Sequence, residues 1–210
     1  MLKKVIRRLV RLYKIFILKD KFLLAHKKWV KDNGDETLRL DYKLTKNSVV
    51  FDIGGYRGDF AESIYEKYNC TVYVFEPVQE YFEFIKKRFD GNGKIKVFNF
   101  GLSDIDTLMK ISVSESASSI YNESENKEEI YLKNIMKFIT DNNVIKIDLF
   151  KINIEGGEFD VLPSIIENGY MSNIADLQIQ FHTFVEQSKE KRELIRKDLM
   201  KTHILTYDYW

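Results

Sequence analysis

The chain has 210 residues, which is enough for one well-buried α/β domain and too few for two comfortable ones. Its hydrophobic fraction of 44% and charged fraction of 31% are those of an ordinary globular protein and exclude disordered and fibrous classes. The single cysteine and three widely spaced histidines lack metal-ligand spacing. We therefore expect no metal site and no disulfide, and a cytoplasmic location fits this cysteine usage.

Positive charge is concentrated at the N-terminus. Residues 1–31 carry eleven of the 33 Lys and Arg residues and one of the 32 Asp and Glu residues, so this segment is +10 and the rest of the chain −9. In MLKKVIRRLVRLYKIFIL, basic residues recur every three or four positions with apolar residues between them, which predicts an amphipathic helix. We predict a basic helical segment over residues 1–45 and one domain over residues 46–210.

Three interpretations of this helix remain open. In the first, residues 1–18 contact the anionic inner face of a membrane peripherally. They do not span the bilayer, because charges interrupt every apolar stretch well short of the roughly 20 residues that a span needs. Alternatively, the apolar side packs on the domain or on a second subunit of a homo-oligomer. Nucleic-acid binding is the least expected, because no base-reading module accompanies the basic residues.

From residue 48, short runs rich in β-branched and aromatic residues alternate with amphipathic stretches of helix length. The first strands and helices are, in chain order, SVVFDIG, GDFAESIYEKY, TVYVFEP, VQEYFEFIKKRF and KIKVFNFGLSD. Strict alternation of strand and helix predicts a parallel sheet with right-handed crossovers. The sequence therefore predicts a doubly wound α/β fold of the Rossmann-like type.

The middle of the chain is less regular. LMKISVS indicates a strand, and the polar run SESASSIYNESENKEE indicates an exposed loop that is either a lid or a plain connection. The alternation resumes with helix YLKNIMKFITDNN, strand IDLFKINIE and helix FDVLPSIIENG. It ends with strand IADLQIQFH, helix VEQSKEKRELIRKDLMK and a last strand in HILTYDYW.

The first candidate site segment, DIGGYRGDF, joins the first strand to the first helix of the domain. Ligands of open parallel sheets bind beyond the carboxyl ends of the strands, and Gly54, Gly55 and Gly58 let the backbone turn sharply and approach a ligand there. The spacing D-x-G-x-x-x-G, which starts at Asp52, is that of class I methyltransferases dependent on S-adenosyl-L-methionine (SAM). The dinucleotide pattern GxGxxG would need a glycine at Ile53, which disfavours an NAD-dependent enzyme. A bare structural turn would use similar glycines.

Polar residues also follow the second and third strands. Glu76, followed by Pro77, ends the second strand, where a carboxylate can accept hydrogen bonds from both hydroxyls of a cofactor ribose. After the third strand, Leu102 offers an apolar wall for adenine, while Ser103 and Asp104 offer polar partners for its amino edge. The structural alternatives are a solvated glutamate at a strand end and a Ser-Asp helix cap.

Two later strands combine an apolar face with a polar one. The polar residues of these faces are Lys151, Asn153, Glu155, Gln178, Gln180 and His182. A parallel sheet usually buries both faces, so polar side chains there need partners or a ligand. They form either the floor of a site or a satisfied network in which Lys151 pairs with Glu155 or Glu158.

These segments together resemble the FkbM-type methyltransferase family. The similar stretches are VVFDIGGYRGDF, VYVFEP, FNFGLSD and DLFKINIEGGEFDVL, followed by a strand that ends in histidine. They span about residues 48 to 182. The resemblance implies a SAM-dependent O-methyltransferase that acts on a sugar hydroxyl of a glycan, glycolipid or related metabolite, as in polysaccharide biosynthesis.

The resemblance also implies roles for individual residues. Those implied to bind SAM are Asp52, Gly54, Gly58 and Glu76, and our predicted cofactor set adds Gly55, Pro77, Leu102, Ser103 and Asp104. Those implied to lie near the transferred methyl group are Lys151, Asn153, Glu155, Glu158 and His182. We interpret His182 as the general base, with Glu155 or Glu158 orienting it or the acceptor.

The sequence departs from the family pattern in two places. Asn153 stands where the family usually has an aspartate. Such folds also normally close with an antiparallel hairpin, whereas this sequence stops at Trp210, so we expect a truncated end or a missing final strand. An alternative function is therefore a catalytically idle SAM fold that serves as a peripheral membrane or assembly factor.

Overall fold

The computed structural model describes residues 6, 10, 13, 17–19, 21–113, 118–119 and 127–209. The chain divides into two compact units, residues 1–42 with 205–210, and residues 43–204. Most of the predicted basic helix over residues 1–18 lies outside the described residues, although Ile6, Val10 and Tyr13 are described and are helical.

The smaller unit contains helix α1 (Lys21–Lys31) and a series of turns that follows it. Trp29 of this helix packs edge-on against Tyr209, with ring centroids 5.2 Å apart. The Tyr209 hydroxyl donates to Asp32 Oδ2 at 2.7 Å. The predicted last strand is wrong, since none of residues 203–209 forms a strand. Their tyrosines pack against an aromatic side chain instead of pairing with a sheet edge.

The larger unit alternates strands and helices at both ends, with a run of five consecutive strands between them. Its strands are β1 (Val49–Ile53), β2 (Thr71–Phe75), β3 (Ile95–Phe98), β4 (Gly101–Ser103), β5 (Thr107–Val113), β6 (Ser118–Ser119), β7 (Lys127–Asn134), β8 (Ile147–Ile152) and β9 (Ile174–Ile179). Its helices are α2 (Asp59–Tyr68), α3 (Gln79–Arg88), α4 (Ile135–Asp141), α5 (Glu158–Glu167), α6 (Ser188–Leu199) and a short 3₁₀ helix (Tyr170–Asn173).

Five of these strands form a parallel sheet in the order β3-β2-β1-β8-β9. The order reverses direction between β1 and β8, which confirms the predicted doubly wound fold. The strands are apolar because both faces are buried. On one face Phe51, Phe75 and Phe150 pack with apolar residues of α4, α5 and α6, and on the other Val50, Val72 and Val74 are fully buried. Each such ring contributes about 1.5–3 kcal/mol by leaving water.

A second sheet, in the order β4-β7-β5-β6, corrects the prediction for the middle of the chain. The predicted helix YLKNIMKFITDNN is wrong in its first four residues, which belong to β7. Tyr131 and Leu132 pair antiparallel with β5, and Lys133 and Asn134 pair parallel with β4. The helix begins at Ile135, where the Asn134 side chain caps it by accepting from Lys137 N at 2.8 Å. Of the predicted polar loop over residues 114–129, residues 114–117 and 120–126 lie outside the described residues, while residues 118–119 form β6 and 127–129 open β7.

Strands β8 and β9 are shorter than predicted. They end at Ile152 and Ile179, so the alternation predicted beyond these residues is wrong for Asn153, Glu155 and His182. The backbone leaves the extended conformation after β8, because Glu155 has a φ of 53° in the left-handed region. These polar side chains therefore lie in loops at the carboxyl edge of the sheet, which is the edge where ligands bind.

Candidate functional site

A glycine turn, residues 54–58, joins β1 to α2, and a buried ion pair holds it in place. Lys151 Nζ donates to Asp52 Oδ1 at 2.6 Å and to the Gly54 carbonyl at 2.8 Å. Asp52 is fully buried and Lys151 is 7% exposed. Gly54 has a φ of 85°, and a Cβ there would lie 2.0 Å from the Asn153 carbonyl oxygen, so no other residue fits. The loops after β1 and β8 are thereby locked together.

The carboxylate of Glu76 faces this glycine turn. Its Oε2 accepts from Tyr56 N at 2.7 Å, and its Oε1 accepts from Val78 N at 3.0 Å. Burial raises the pKa of Glu76 to about 7, against the lowering effect of the two backbone hydrogen bonds. The carboxylate is therefore held in place, and it titrates near neutral pH.

A cavity of about 250 Å³ lies between the glycine turn and the ends of β2, β4 and β8. Among the residues predicted as site residues, those that line it are Gly54, Glu76, Pro77, Leu102, Ser103, Asn153 and Glu155. Tyr56 and Asp160 also line it, and we did not single them out from the sequence. Asp160 lies in the first turn of α5, immediately beyond the polar loop after β8, and that position was its available signal.

One wall of the cavity is apolar, and none of its residues was predicted as a site residue. Its residues are Val78, Tyr81, Met109, Ile111, Ile130 and Leu132, contributed by β5, by β7 and by α3 with the residue that precedes it. They form a separate small hydrophobic cluster. This wall exists because β7 pairs with β5, so the helix predicted in place of β7 concealed it.

The other predicted site residues do not line the cavity. They are Asp52, Gly55, Gly58, Asp104, Lys151, Glu158 and His182. A Cβ on Gly55 would lie 2.3 Å from Val74 Cγ1, which gives this glycine a packing role. Asp104 is exposed and accepts a hydrogen bond from Ser103 Oγ at 3.0 Å. Lys151 pairs with Asp52 rather than with Glu155 or Glu158, the partners expected for a polar network.

His182 lies between two carboxylates. Its Nδ1 is 3.1 Å from Glu158 Oε1 and its Nε2 is 3.4 Å from Glu155 Oε1. Glu158 is fully buried and also accepts from His182 N at 2.8 Å and, through Oε2, from Gly156 N at 2.9 Å. Glu155 has a quarter of its side chain exposed and reaches both the cavity and the imidazole. Glu158, His182 and Glu155 therefore form a chain of contacts from a buried carboxylate to the cavity.

The protonation of His182 differs from that of the neutral base expected from the sequence. Burial lowers the pKa of the imidazole, but hydrogen bonds and negative charge from Glu155 and Glu158 together outweigh it and raise the pKa to about 9. The ring is therefore cationic at neutral pH and has no free acceptor nitrogen. Of this group, Glu155 is the member that can accept a proton at the cavity.

A family model described as the methyltransferase FkbM domain matches residues 52–203. The chain belongs to the FkbM methyltransferase family. The match covers the glycine turn, Glu76 and the polar loops after β8 and β9, and it confirms the resemblance seen in the sequence. A search of the curated proteins returned no match. This FkbM protein is a methyltransferase enzyme with an α/β fold.

Within ranges 21–113 and 127–209 and the few other described positions, no group of three or more His, Cys, Asp or Glu side chains is arranged to hold a metal ion. In the same part of the chain, no helix has the length and apolar character that crossing a bilayer requires.

Proposed function

We propose that this FkbM methyltransferase transfers the methyl group of SAM to a sugar hydroxyl of a glycan, glycolipid or related metabolite. The observation that carries the proposal is a cavity lined by Glu76, by Glu155 and by an apolar wall. A carboxylate after the second strand suits a ribose, and a second carboxylate at the cavity suits an acceptor hydroxyl.

The chemistry of the lining supports SAM as the donor. Each oxygen of Glu76 accepts one backbone hydrogen bond and keeps a lone pair for a ribose hydroxyl. Asn153 Oδ1 is buried without a hydrogen-bond partner among the described residues, so it can accept a hydrogen bond from a polar group of the donor. The wall around Ile111 and Leu132 suits adenine. When bound, SAM supplies a methyl group on a positively charged sulfur.

The residues around His182 support a division of labour in proton transfer. Glu155 is placed to accept the proton of the acceptor hydroxyl, because it lines the cavity. Charged His182 holds Glu155 in position, and buried Glu158 holds His182 through two contacts. His182 and Glu158 are in this proposal positioning residues.

The donor part of the proposal predicts pH-dependent SAM binding. Because ribose hydroxyls donate to an ionised carboxylate and the pKa of Glu76 is about 7, affinity should rise with pH from 6 to 8. The ionised fraction changes by about tenfold over that interval, and the dissociation constant measured by calorimetry should fall by about the same factor.

The control for this measurement is Glu76→Gln, which keeps the shape of the side chain and removes its titration. Its affinity should be at least about tenfold weaker than that of the native protein at pH 8 and constant across the pH range. Absence of SAM binding at every pH would favour the idle-fold alternative, and equal pH dependence in the variant would remove Glu76 from the donor site.

We further propose that residues 1–18 bring the enzyme to an anionic membrane surface. The described apolar residues Ile6, Val10, Tyr13 and Ile17 recur at helical spacing and are 50%, 49%, 55% and 65% exposed. The surrounding segment carries the excess of basic residues that attracts anionic lipid headgroups. A membrane contact would place the site near glycolipid acceptors.

Vesicle flotation tests this contact in the full chain. The protein should float with vesicles that contain phosphatidylglycerol and much less with vesicles of phosphatidylcholine alone. The double substitution Ile6→Glu/Val10→Glu should reduce the bound fraction by at least about tenfold, because it removes apolar burial and adds negative charge. Ile145→Glu, at another highly exposed isoleucine (84%), is the matched control. Equal flotation of these variants would contradict the proposal.

A further inference from the structure

An exposed aromatic ring lies beside His182, the residue that contacts both Glu155 and Glu158. Phe184 is 47% exposed, and its ring centroid is 5.3 Å from that of His182, with the planes inclined by 42°. The loop that carries it is fixed on both sides, since His182 N donates to Glu158 and Val185 is buried. Ser188 also closes this loop by donating from Oγ to the Thr183 carbonyl at 3.1 Å. The ring is therefore presented outwards by an anchored loop.

Polar groups border the same surface. Gln180 is exposed, and its Nε2 is 3.5 Å from His182 Nε2. Glu155 Oε1 is 3.4 Å from the same nitrogen. His182 thus has contacts with an exposed amide, a partly exposed carboxylate and a flat apolar ring. A ligand that matches this surface has an apolar face with hydroxyl groups around its rim, which describes the pyranose ring of a sugar.

We propose that Phe184 and Gln180 form the acceptor subsite, in which Phe184 packs against the C–H face of a pyranose ring and Gln180 hydrogen-bonds to its hydroxyls. The inference rests on the proposed function, because it assigns the acceptor end of the same site. It adds a chemical requirement: the acceptor presents a ring face. Phe184 and Glu155 both contact His182, so a ring held on Phe184 is near the carboxylate that accepts the hydroxyl proton.

Saturation-transfer NMR on the full chain tests the subsite without knowledge of the natural acceptor. The probes are the methyl glycosides of glucose, galactose and mannose, with acyclic sorbitol as the control ligand, in the presence of S-adenosylhomocysteine. At least one glycoside should receive saturation, strongest on the carbon-bound protons of one ring face, and sorbitol should receive none. Phe184→Ala should weaken that glycoside by about 2- to 12-fold, the range measured for aromatic ring contacts.

Two further variants separate stacking from general effects. Phe184→Leu keeps an apolar side chain but lacks the flat ring, and it should bind the glycoside as weakly as Phe184→Ala. Phe84→Ala removes a ring of similar exposure (50%) from α3 and should bind as the native protein does.

Calorimetry with SAM distinguishes failure of the acceptor subsite from failure of the proposed function. If SAM binds but no glycoside does, or if Phe184→Ala binds as tightly as the native protein, this inference is overturned alone; if SAM does not bind, the proposed function fails with it.

Discussion

Replacing Glu155 by glutamine should lower the rate of methyl transfer by about 10²- to 10⁴-fold, the range that a positioned general base contributes. Glutamine keeps the size of the side chain and its contact with His182 but accepts no proton. SAM affinity should change by less than about threefold, because Glu76 and not Glu155 is assigned to the ribose. The measurement is transfer of an isotope-labelled methyl group from SAM to the panel of methyl glycosides, alongside calorimetry with SAM.

Asp160→Asn is the matched control, because Asp160 is a third carboxylate that lines the same cavity. We expect it to reduce turnover by less than about tenfold, since Glu155 still performs the proton transfer. The pH profile separates Glu155 from His182 as the base. At saturating SAM, a His182 base, with its pKa of about 9, would make the rate rise by about tenfold per pH unit between pH 7 and 8. Such a rise, or near-native turnover of Glu155→Gln, would contradict the assignment.

The parallel sheet was predictable because its signals are local. Each strand from β1 to β3 is a short apolar run that ends at a glycine, an acid or a polar turn, and β1 and β2 are each followed by an amphipathic helix. The glycines after Asp52 and the acid at the end of β2 follow from the same logic, because the carboxyl ends of parallel strands meet at one edge. Sequence reasoning therefore placed Gly54 and Glu76 together at the cavity, as the structure does.

The second sheet was not predictable from local signals. In KEEIYLKN the apolar residues Ile130 and Leu132 alternate with polar ones for only a few positions before the pattern of α4 begins. The pairing that makes this segment a strand comes from β5, some twenty residues earlier in the chain. The apolar wall of the cavity depends on that pairing, so its residues were missed for the same reason.

The protonation state of His182 likewise depends on tertiary structure and was not predictable from the sequence. A histidine that follows a strand at the carboxyl edge of a parallel sheet is ordinarily a candidate base, because its usual pKa lies near neutral pH. Glu155 and Glu158 reach opposite nitrogens of the ring only because the loop after β8 turns back at Glu155, where φ is positive. No spacing in the sequence specifies that turn, although the two acids themselves were identified.

The largest expected loss of stability comes from Lys151→Met, which leaves the Asp52 carboxylate buried without its partner. Breaking a buried ion pair in this way destabilises a protein by about 3–5 kcal/mol. Here Asp52 is fully buried, and its Oδ2 already lacks a hydrogen-bond partner among the described residues. The substitution also frees the Gly54 carbonyl, so the glycine turn should loosen and SAM affinity should fall with stability. Urea unfolding followed by circular dichroism gives the free energy of unfolding.

Two variants make this prediction specific to the buried charge. Lys146→Met breaks the ion pair with Asp148, which is 2.7 Å long, but the Lys146 side chain is 60% exposed, so the loss should be about 0–1 kcal/mol. The double variant Asp52→Leu/Lys151→Met removes both buried charges and should recover most of the stability that Lys151→Met loses. It should not recover SAM affinity, because the double variant has no side chain at position 151 that donates to the Gly54 carbonyl. Equal unfolding midpoints for Lys151→Met and Lys146→Met would show that the pair does not anchor the glycine turn.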